Sequence, residues 1–172
     1  MTMNEGDQRP YRPCVGVMLV NTNRKILIAR RCGGDVGAWQ MPQGGIEQGE
    51  TLWQAGLREL KEEVGVRSVR WLAESKDWHA YDIPQELSRV LWQGQFRGLC
   101  QKWILMAFTG EDAEITLEGD HPEFEAWRWA APSEIVPLTL FDNCGIYERV
   151  LEELWPQVLS FDLNPMKAAQ RI

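Results

Sequence analysis

Two apolar runs open the chain, Cys14 to Val20 and Lys25 to Arg31, both rich in Val, Ile and Leu and separated by the turn-forming tetrad Asn21-Thr22-Asn23-Arg24. They predict a β-hairpin. Gly33-Gly34-Asp35 breaks the chain after it, Trp39 to Pro42 reads as a short strand, and Gly44-Gly45 as a loop. The next segment carries the clearest periodicity. Trp53, Leu57, Leu60 and Val64 recur at helical spacing and fall within about 60° of one another on a helical wheel. Thr51 with Gln54 three residues later fits a capping box, and Gly65 fits a left-handed C-terminal cap. On this wheel Glu59, Glu62 and Glu63 leave from the other side, and their spacing brings their carboxylates within reach of one centre.

Further strands are predicted at Val69 to Ser75, Lys102 to Thr109 and Phe124 to Ala130, the second the most apolar and central. Asp82 to Gly98, with Pro84 and two glycines, reads as a long loop, and loops of that length in compact domains are often functional. Pro132-Ser133-Glu134 opens a short helix or turn. Gly145 to Trp155 reads as a terminal helix with Ile146, Val150, Leu151 and Leu154 on its apolar face. The expected organisation is one domain over residues 10–159, with flexible tails at 1–9 and 160–172. The 172 residues, 44% apolar and with nine tryptophans, suffice for a packed core without disulfides or a structural metal.

Composition narrows the functional classes. No apolar run is long enough to span a bilayer, and residues 1–7 have no signal-peptide character, so the expected location is cytoplasmic and the expected partners include no membrane. The four cysteines, Cys14, Cys32, Cys100 and Cys144, are scattered and read as buried thiols; His79 and His121 each stand alone in their segments. A net charge of −7 argues against binding to long DNA, which relies on broad basic patches. The distribution of charge is more informative than the sum. Residues 1–31 hold six Arg and Lys against two acids, whereas residues 111–125 hold seven acids and no Arg or Lys. The two regions could supply the two sides of a metal–phosphate site.

Four carboxylates and an arginine cluster between Glu50 and Glu63 and would repel one another without a strong positive charge among them. Hard oxygen ligands suit Mg²⁺ or Mn²⁺. Cleavage of a phosphoanhydride needs such a metal, an activated water and a base. A helix bearing Glu at i, i+3 and i+4 provides a rigid set of ligands, and Gly44 and Gly45 let the backbone approach a phosphate. Arg58 is placed to pair with Glu50 and hold the loop to the helix. Taken alone, Arg-Glu-Leu-Lys-Glu-Glu is ordinary for a solvated, salt-bridged helix; the glycines and Glu50 at their offsets argue against that reading.

Gly44, Glu50, Arg58, Glu59, Leu60, Glu62, Glu63, Gly65 and Val66 match every fixed position of the Nudix box, Gly-x5-Glu-x7-Arg-Glu-Uaa-x-Glu-Glu-x-Gly-Uaa, where Uaa is a bulky aliphatic. The chain therefore resembles the Nudix hydrolases. That resemblance implies an α/β fold, an α/β/α sandwich with a mixed β-sheet between helices. It implies Glu59, Glu62 and Glu63 as ligands of Mg²⁺ or Mn²⁺, with Glu59 or Glu63 as base and Arg58 beside them in the catalytic cluster. The segments Tyr11-Arg12-Pro13, Gly37 to Gly45, Gln101-Lys102-Trp103 and Pro122 to Trp129 resemble the branch that contains bacterial RNA 5′-pyrophosphohydrolases and bacterial and plant diadenosine tetraphosphate hydrolases.

By that similarity Glu123 would be a further metal ligand, and Arg12, Arg30 or Arg31, and Lys102 would meet the phosphate chain. Trp78 and Tyr81 are candidates to stack a nucleobase, while Trp103 reads as core. Two segments depart from the branch: Leu99 stands where a Gln is usual, and Asp142-Asn143 stands where a basic segment is usual. The expected reaction is release of pyrophosphate from the 5′-triphosphate end of RNA. The alternative substrate is a dinucleoside polyphosphate such as diadenosine tetraphosphate. A nucleotide-sensing module that no longer cleaves is disfavoured because no box carboxylate is missing.

Overall fold

The computed structural model describes residues 7–33, 39–118, 122–139 and 141–164. The expectations placed on Gly34, Asp35, Gly37, Ala38 and His121, on residues 1–6 and 165–172, and on the side chains of Asp142, Asn143 and Cys144 lie outside the described residues.

A mixed sheet of eight strands forms the centre. β1 (Tyr11–Val20), β2 (Ile26–Arg31) and β3 (Trp39–Gln40) precede β4 (Gln43–Gly45) and helix α1 (Leu52–Val64). β5 (Val69–Glu74), β6 (His79–Asp82), α2 (Gln85–Trp92), β7 (Gly98–Phe108), β8 (Phe124–Ala130), α3 (Pro132–Leu138) and α4 (Phe141–Ser160) follow. The principal order is β3-β2-β1-β7-β5, with β4 paired to β1, β6 to β7 and β8 to β2. β1 and β7 run parallel over ten residue pairs, and the other pairings are antiparallel.

The unbroken apolar runs of β1 and β7 follow from burial on both faces. Val15, Val17, Leu19, Ile104, Met106 and Phe108 join the core under α1, with Ala55, Leu60 and Val64. Met18, Val20, Trp103, Leu105 and Ala107 face the other way, toward Ile135 of α3 and Ile146, Tyr147, Val150 and Leu154 of α4. The sandwich is thus helix, sheet, helix. Trp103 is fully buried and meets Tyr147 edge-on, with ring centroids 5.4 Å apart.

The helix ends expected for α1 are present. Thr51 and Gln54 form the capping box, and Gly65 adopts φ +74°. The buried side of α1 differs from the aliphatic stripe. It runs through Ala55, Gly56, Glu59, Leu60, Glu63 and Val64, whereas Trp53 and Leu57 are only half-buried, a rotation of about a quarter turn. Small residues at 55 and 56 cause this, because a helix approaches a sheet closest where its side chains are shortest; a Cβ on Gly56 would lie 2.3 Å from Ile104 Cδ1. Two of the three glutamates therefore face the protein, not the solvent.

Three further segments differ from expectation. Gly44-Gly45 is not a free loop but belongs to β4, paired with Val15 and Cys14 of β1. The Asp82–Gly98 stretch begins on the last residue of β6, holds α2 within it and ends on the first residue of β7. α2 escaped the periodicity because Leu87, Val90 and Leu91 are exposed and only Ser88 is buried. α4 begins at Phe141, ahead of the expected Gly145, and continues through Pro156 to Ser160, where burial of Val158 holds its last turn against the core. At the margins of the domain, Arg9 donates to the Gly94 carbonyl, Arg70 donates to the Asp162 carbonyl, and Leu163 is buried.

Gly16 is where the sheet makes room for its largest core residue: a Cβ there would fall 2.5–2.6 Å from three Trp103 ring atoms. Gly16→Ala is expected to destabilise the protein by about 1–3 kcal/mol, the usual cost of overpacking a rigid core, read from the urea midpoint.

Candidate active site

The centre of the site is the contact between α1 and β4. Glu59 and Glu63 are each only 8% exposed, an unusual depth for carboxylates without full neutralisation. Gly44 faces Glu59: a Cβ at 44 would lie 2.0–2.1 Å from its carboxylate atoms. The Gln43 backbone N–H donates to Glu63 Oε2 at 3.0 Å. Gly45 points to the opposite face of the strand, where a Cβ would lie 2.2 Å from Arg12 Nη2. The glycine pair therefore serves two clearances, one for a buried carboxylate and one for a guanidinium, as the twofold alternation of a strand requires.

Arg58 joins these parts. Its Nε and Nη2 donate to the two oxygens of Glu50 at 2.8 and 2.9 Å, Nη1 donates to Glu59 at 2.7 Å, and Nη2 also donates to the Gly45 carbonyl at 2.7 Å. The expected Arg58–Glu50 pair thus clamps the loop entering α1 to the helix. Arg58 Nη1 also reaches Glu62 at 3.2 Å, but the Glu62 side chain is 58% exposed and sits at the outer rim. Glu123, just before β8, accepts from Arg31 Nη2 at 2.8 Å.

These placements set the electrostatics. The bidentate hydrogen bond from Arg58 holds Glu50 down at about 2. Glu59 is shifted upward, first by desolvation, against the opposing hydrogen bond from Arg58. Glu63 is pushed well above the usual carboxylate range, first by burial and then by the charge of Glu59. Glu123 adds a lesser repulsion to both. Buried, mutually repelling oxygen donors of this kind fit a hard divalent cation, and Glu59, Glu62, Glu63 and Glu123 are the residues that could hold one. Among the described residues no three such groups are gathered closely enough to enclose a metal. Arginines occupy these carboxylates instead: Arg58 engages Glu59 and Glu62, and Arg31 engages Glu123.

The cations expected at the phosphates occupy different situations. Arg12 lies over the Trp92 ring, 5.7 Å from its centroid, beside Gly45. Arg31 pairs with Glu123 at the carboxylate cluster. Arg30 is 2.9 Å from Glu125 and stacks over Trp39, and Lys102 is buried and donates to the Lys76 carbonyl at 2.9 Å, with Glu74 3.8 Å away. Tyr81 lies in one cross-strand row with Leu99 and Arg12, and Trp78 is exposed just before β6. Trp92 and Gln43 received no role from the sequence. Gln43 was legible only as a neighbour of the box, and Trp92 was hidden in the segment read as a loop.

Two consequences can be measured. Gly44→Ala, which pushes directly on Glu59, is expected to lower kcat by about 10²-fold, whereas Gly45→Ala, which meets only the movable end of Arg12, acts mainly on KM; steady-state kinetics separate them. Glu63 has a raised pKa in the folded chain, so its favourable contribution is present below the ordinary value of 4.5 and is lost as pH rises through the folded value. With a chelator present, Glu63→Gln should raise the melting temperature by on the order of 2–4 °C per kcal/mol recovered, and the gap to wild type should widen from pH 4.5 to pH 8.

Residues 10–153 match the NUDIX domain. The chain is 49% identical over 148 residues to an RNA pyrophosphohydrolase of Novosphingobium aromaticivorans, covering 84% of this chain and 92% of that protein. It is 45% identical over 154 residues to an RNA pyrophosphohydrolase of Roseobacter denitrificans, covering 88% and 96%. Among solved structures it superposes on the Escherichia coli dihydroneopterin triphosphate pyrophosphohydrolase with a TM-score of 0.63 at 23% identity, covering 82% of this chain and 97% of that one. A Caenorhabditis elegans Ap4A hydrolase complex gives 0.59 at 15% identity, covering 86% and 99%. The helix–sheet–helix architecture, the glutamate-bearing helix against β4 and these likenesses agree: the chain belongs to the Nudix family.

Proposed function

We propose that the chain is a metal-dependent RNA pyrophosphohydrolase that releases pyrophosphate from the 5′-triphosphate end of RNA. The observation that carries this reading is the arrangement at β4, where buried Glu59 and Glu63 face one side of the Gly44-Gly45 strand and the Arg12 guanidinium packs on the other. It is supported by relatives of 43–49% identity, all RNA pyrophosphohydrolases, over most of their length. The likeness to the Ap4A hydrolase, at 15% identity, extends to the fold alone.

In this reading Glu59, Glu62, Glu63 and Glu123 would hold Mg²⁺ or Mn²⁺, which when bound would neutralise phosphate oxygens and make water more nucleophilic. Glu59 and Glu63 are the base candidates, because both are buried and shifted toward the protonated form. Water adds to phosphorus, its proton passes to one of these carboxylates, and the phosphoanhydride bond breaks. Pyrophosphate leaves and the RNA keeps a 5′-monophosphate. Arg58 keeps the loop and helix in register through Glu50 and Gly45. Arg12, with Arg31 at the carboxylate rim, attracts the phosphate chain; Arg30 and Lys102 contribute positive potential from positions already bonded within the protein. Tyr81 and Trp78 offer aromatic faces for the first bases. The reaction is assigned to the cytoplasm as part of this proposal.

Glu59→Gln and Glu63→Gln keep the shape of the side chain and remove its charge. Each is expected to lower pyrophosphate release from triphosphorylated RNA by a factor on the order of 10²–10⁴, with the fold retained by circular dichroism. Diadenosine tetraphosphate is the second substrate to assay. Turnover of the dinucleotide far above that of RNA would reject the proposed substrate, and near-normal activity in both variants would reject the site.

A further inference from the structure

Arg12 makes two contacts that define its position. Its guanidinium lies over the Trp92 ring and also packs against Gly45, where any Cβ would collide with Nη2. It thus contacts both an indole and bare backbone. Its register partner on β7 is Leu99, which has no hydrogen-bond acceptor in its side chain. The neighbouring arginines differ in this respect: Arg9 is neutralised by Asp7 and Arg97 by Asp82. Among the described residues Arg12 has no such carboxylate.

Trp92 is itself held in place. It is the last residue of α2, and the chain then reverses through two left-handed residues, Gln93 with φ +54° and Gly94 with φ +77°. This turn brings Phe96 edge-on to Trp92, with ring centroids 5.9 Å apart at 86°. The turn is tied by the Gly94 N–H to the Ser88 carbonyl, by the Ser88 hydroxyl to the Phe96 carbonyl, and by Arg9 to the Gly94 carbonyl. These bonds explain why Ser88 is the buried residue of α2 while its aliphatic residues face solvent. The helix is oriented by its backbone turn and its aromatic end.

We propose that Trp92 is a positioning residue for substrate binding, holding the Arg12 guanidinium flat beside Gly45 with its N–H groups free for a phosphate oxygen. An arginine side chain loses considerable freedom on binding an anion, and stacking on an aromatic face removes part of that loss in advance. α2 thereby becomes part of phosphate recognition, although it touches no carboxylate of the metal cluster. This inference rests on the reading that Arg12 meets the phosphate chain.

The test uses the full chain and inorganic pyrophosphate with Mg²⁺ as the probe, measured by calorimetry, alongside steady-state hydrolysis of triphosphorylated RNA. Trp92→Leu is expected to weaken pyrophosphate binding and raise KM by about 5- to 30-fold, the span of a cation–π contact, with the change in KM and not in kcat. Trp92→Phe, which keeps an aromatic face, should recover most of the loss. In an Arg12→Ala background, Trp92→Leu should have no further effect on either quantity. Unchanged affinity in Trp92→Leu, additive losses in the double variant, equal losses in the Leu and Phe variants, or failure of the wild-type protein to bind pyrophosphate would each overturn the proposal. Coupled losses in pyrophosphate binding without any hydrolysis of RNA would uphold the positioning role and reject the proposed substrate.

Discussion

Glu59 and Glu63 sit on the side of α1 that packs against the sheet, and the rest of the site is arranged around that burial. Carboxylates at this depth lose hydration and repel one another, so their environment must supply compensation. Arg58 supplies part of it to Glu59, and the Gln43 backbone N–H supplies part to Glu63. What is left over is an excess of negative charge in a region of low polarity. Such an excess suits a hard cation and comes at the expense of stability, a common compromise at catalytic centres.

The same constraint explains the glycine pair. A helix carrying buried carboxylates can approach β4 only if the facing strand residue has no side chain, which places glycine at 44. The next residue faces the other side of the strand, where the Arg12 guanidinium occupies the space of a side chain. β4 is thus a thin partition with negative charge on one face and positive charge on the other. Arg58 bridges to the partition through the Gly45 carbonyl and to the entering loop through Glu50, so one side chain ties strand, loop and helix together. A substrate with a chain of phosphates could meet both faces at the strand end, the carboxylates on one side and the guanidinium on the other.

Local chemistry made much of this legible. Thr51, Gln54 and Gly65 marked the ends of α1 because capping depends on residues only a few positions apart. The apolar runs of β1, β2 and β7 revealed strands because those segments are heavily buried, β1 and β7 on both faces, while β8 is buried only at its ends, Phe124 and Ala130. β4 and β6 were not legible: a glycine-rich tripeptide and a tetrapeptide of mixed polarity have little intrinsic preference for strand, and pairing with β1 and β7 recruits them. α2 was missed for a related reason. Its orientation comes from a left-handed turn and hydrogen bonds to Ser88, so no apolar stripe points to the core.

The chemical inventory was legible along the chain: nine spaced residues of the box, a helix bounded by its own caps, and unbroken apolar runs that form the central strands. These depend on composition, spacing and short-range geometry, which are properties of the chain before it folds. Which glutamates are buried and which cations are already neutralised depended on the folded arrangement. Side-chain volumes at Ala55 and Gly56 set the rotation of α1, which turns Glu59 and Glu63 inward and leaves Glu62 at the rim. Long-range ion pairs tie Arg31 to Glu123 and Arg30 to Glu125, while Arg12 rests on an indole contributed from a distant part of the chain. Such distinctions arise from contacts between residues far apart in the sequence, and the electrostatic character of each group follows from what folding places beside it.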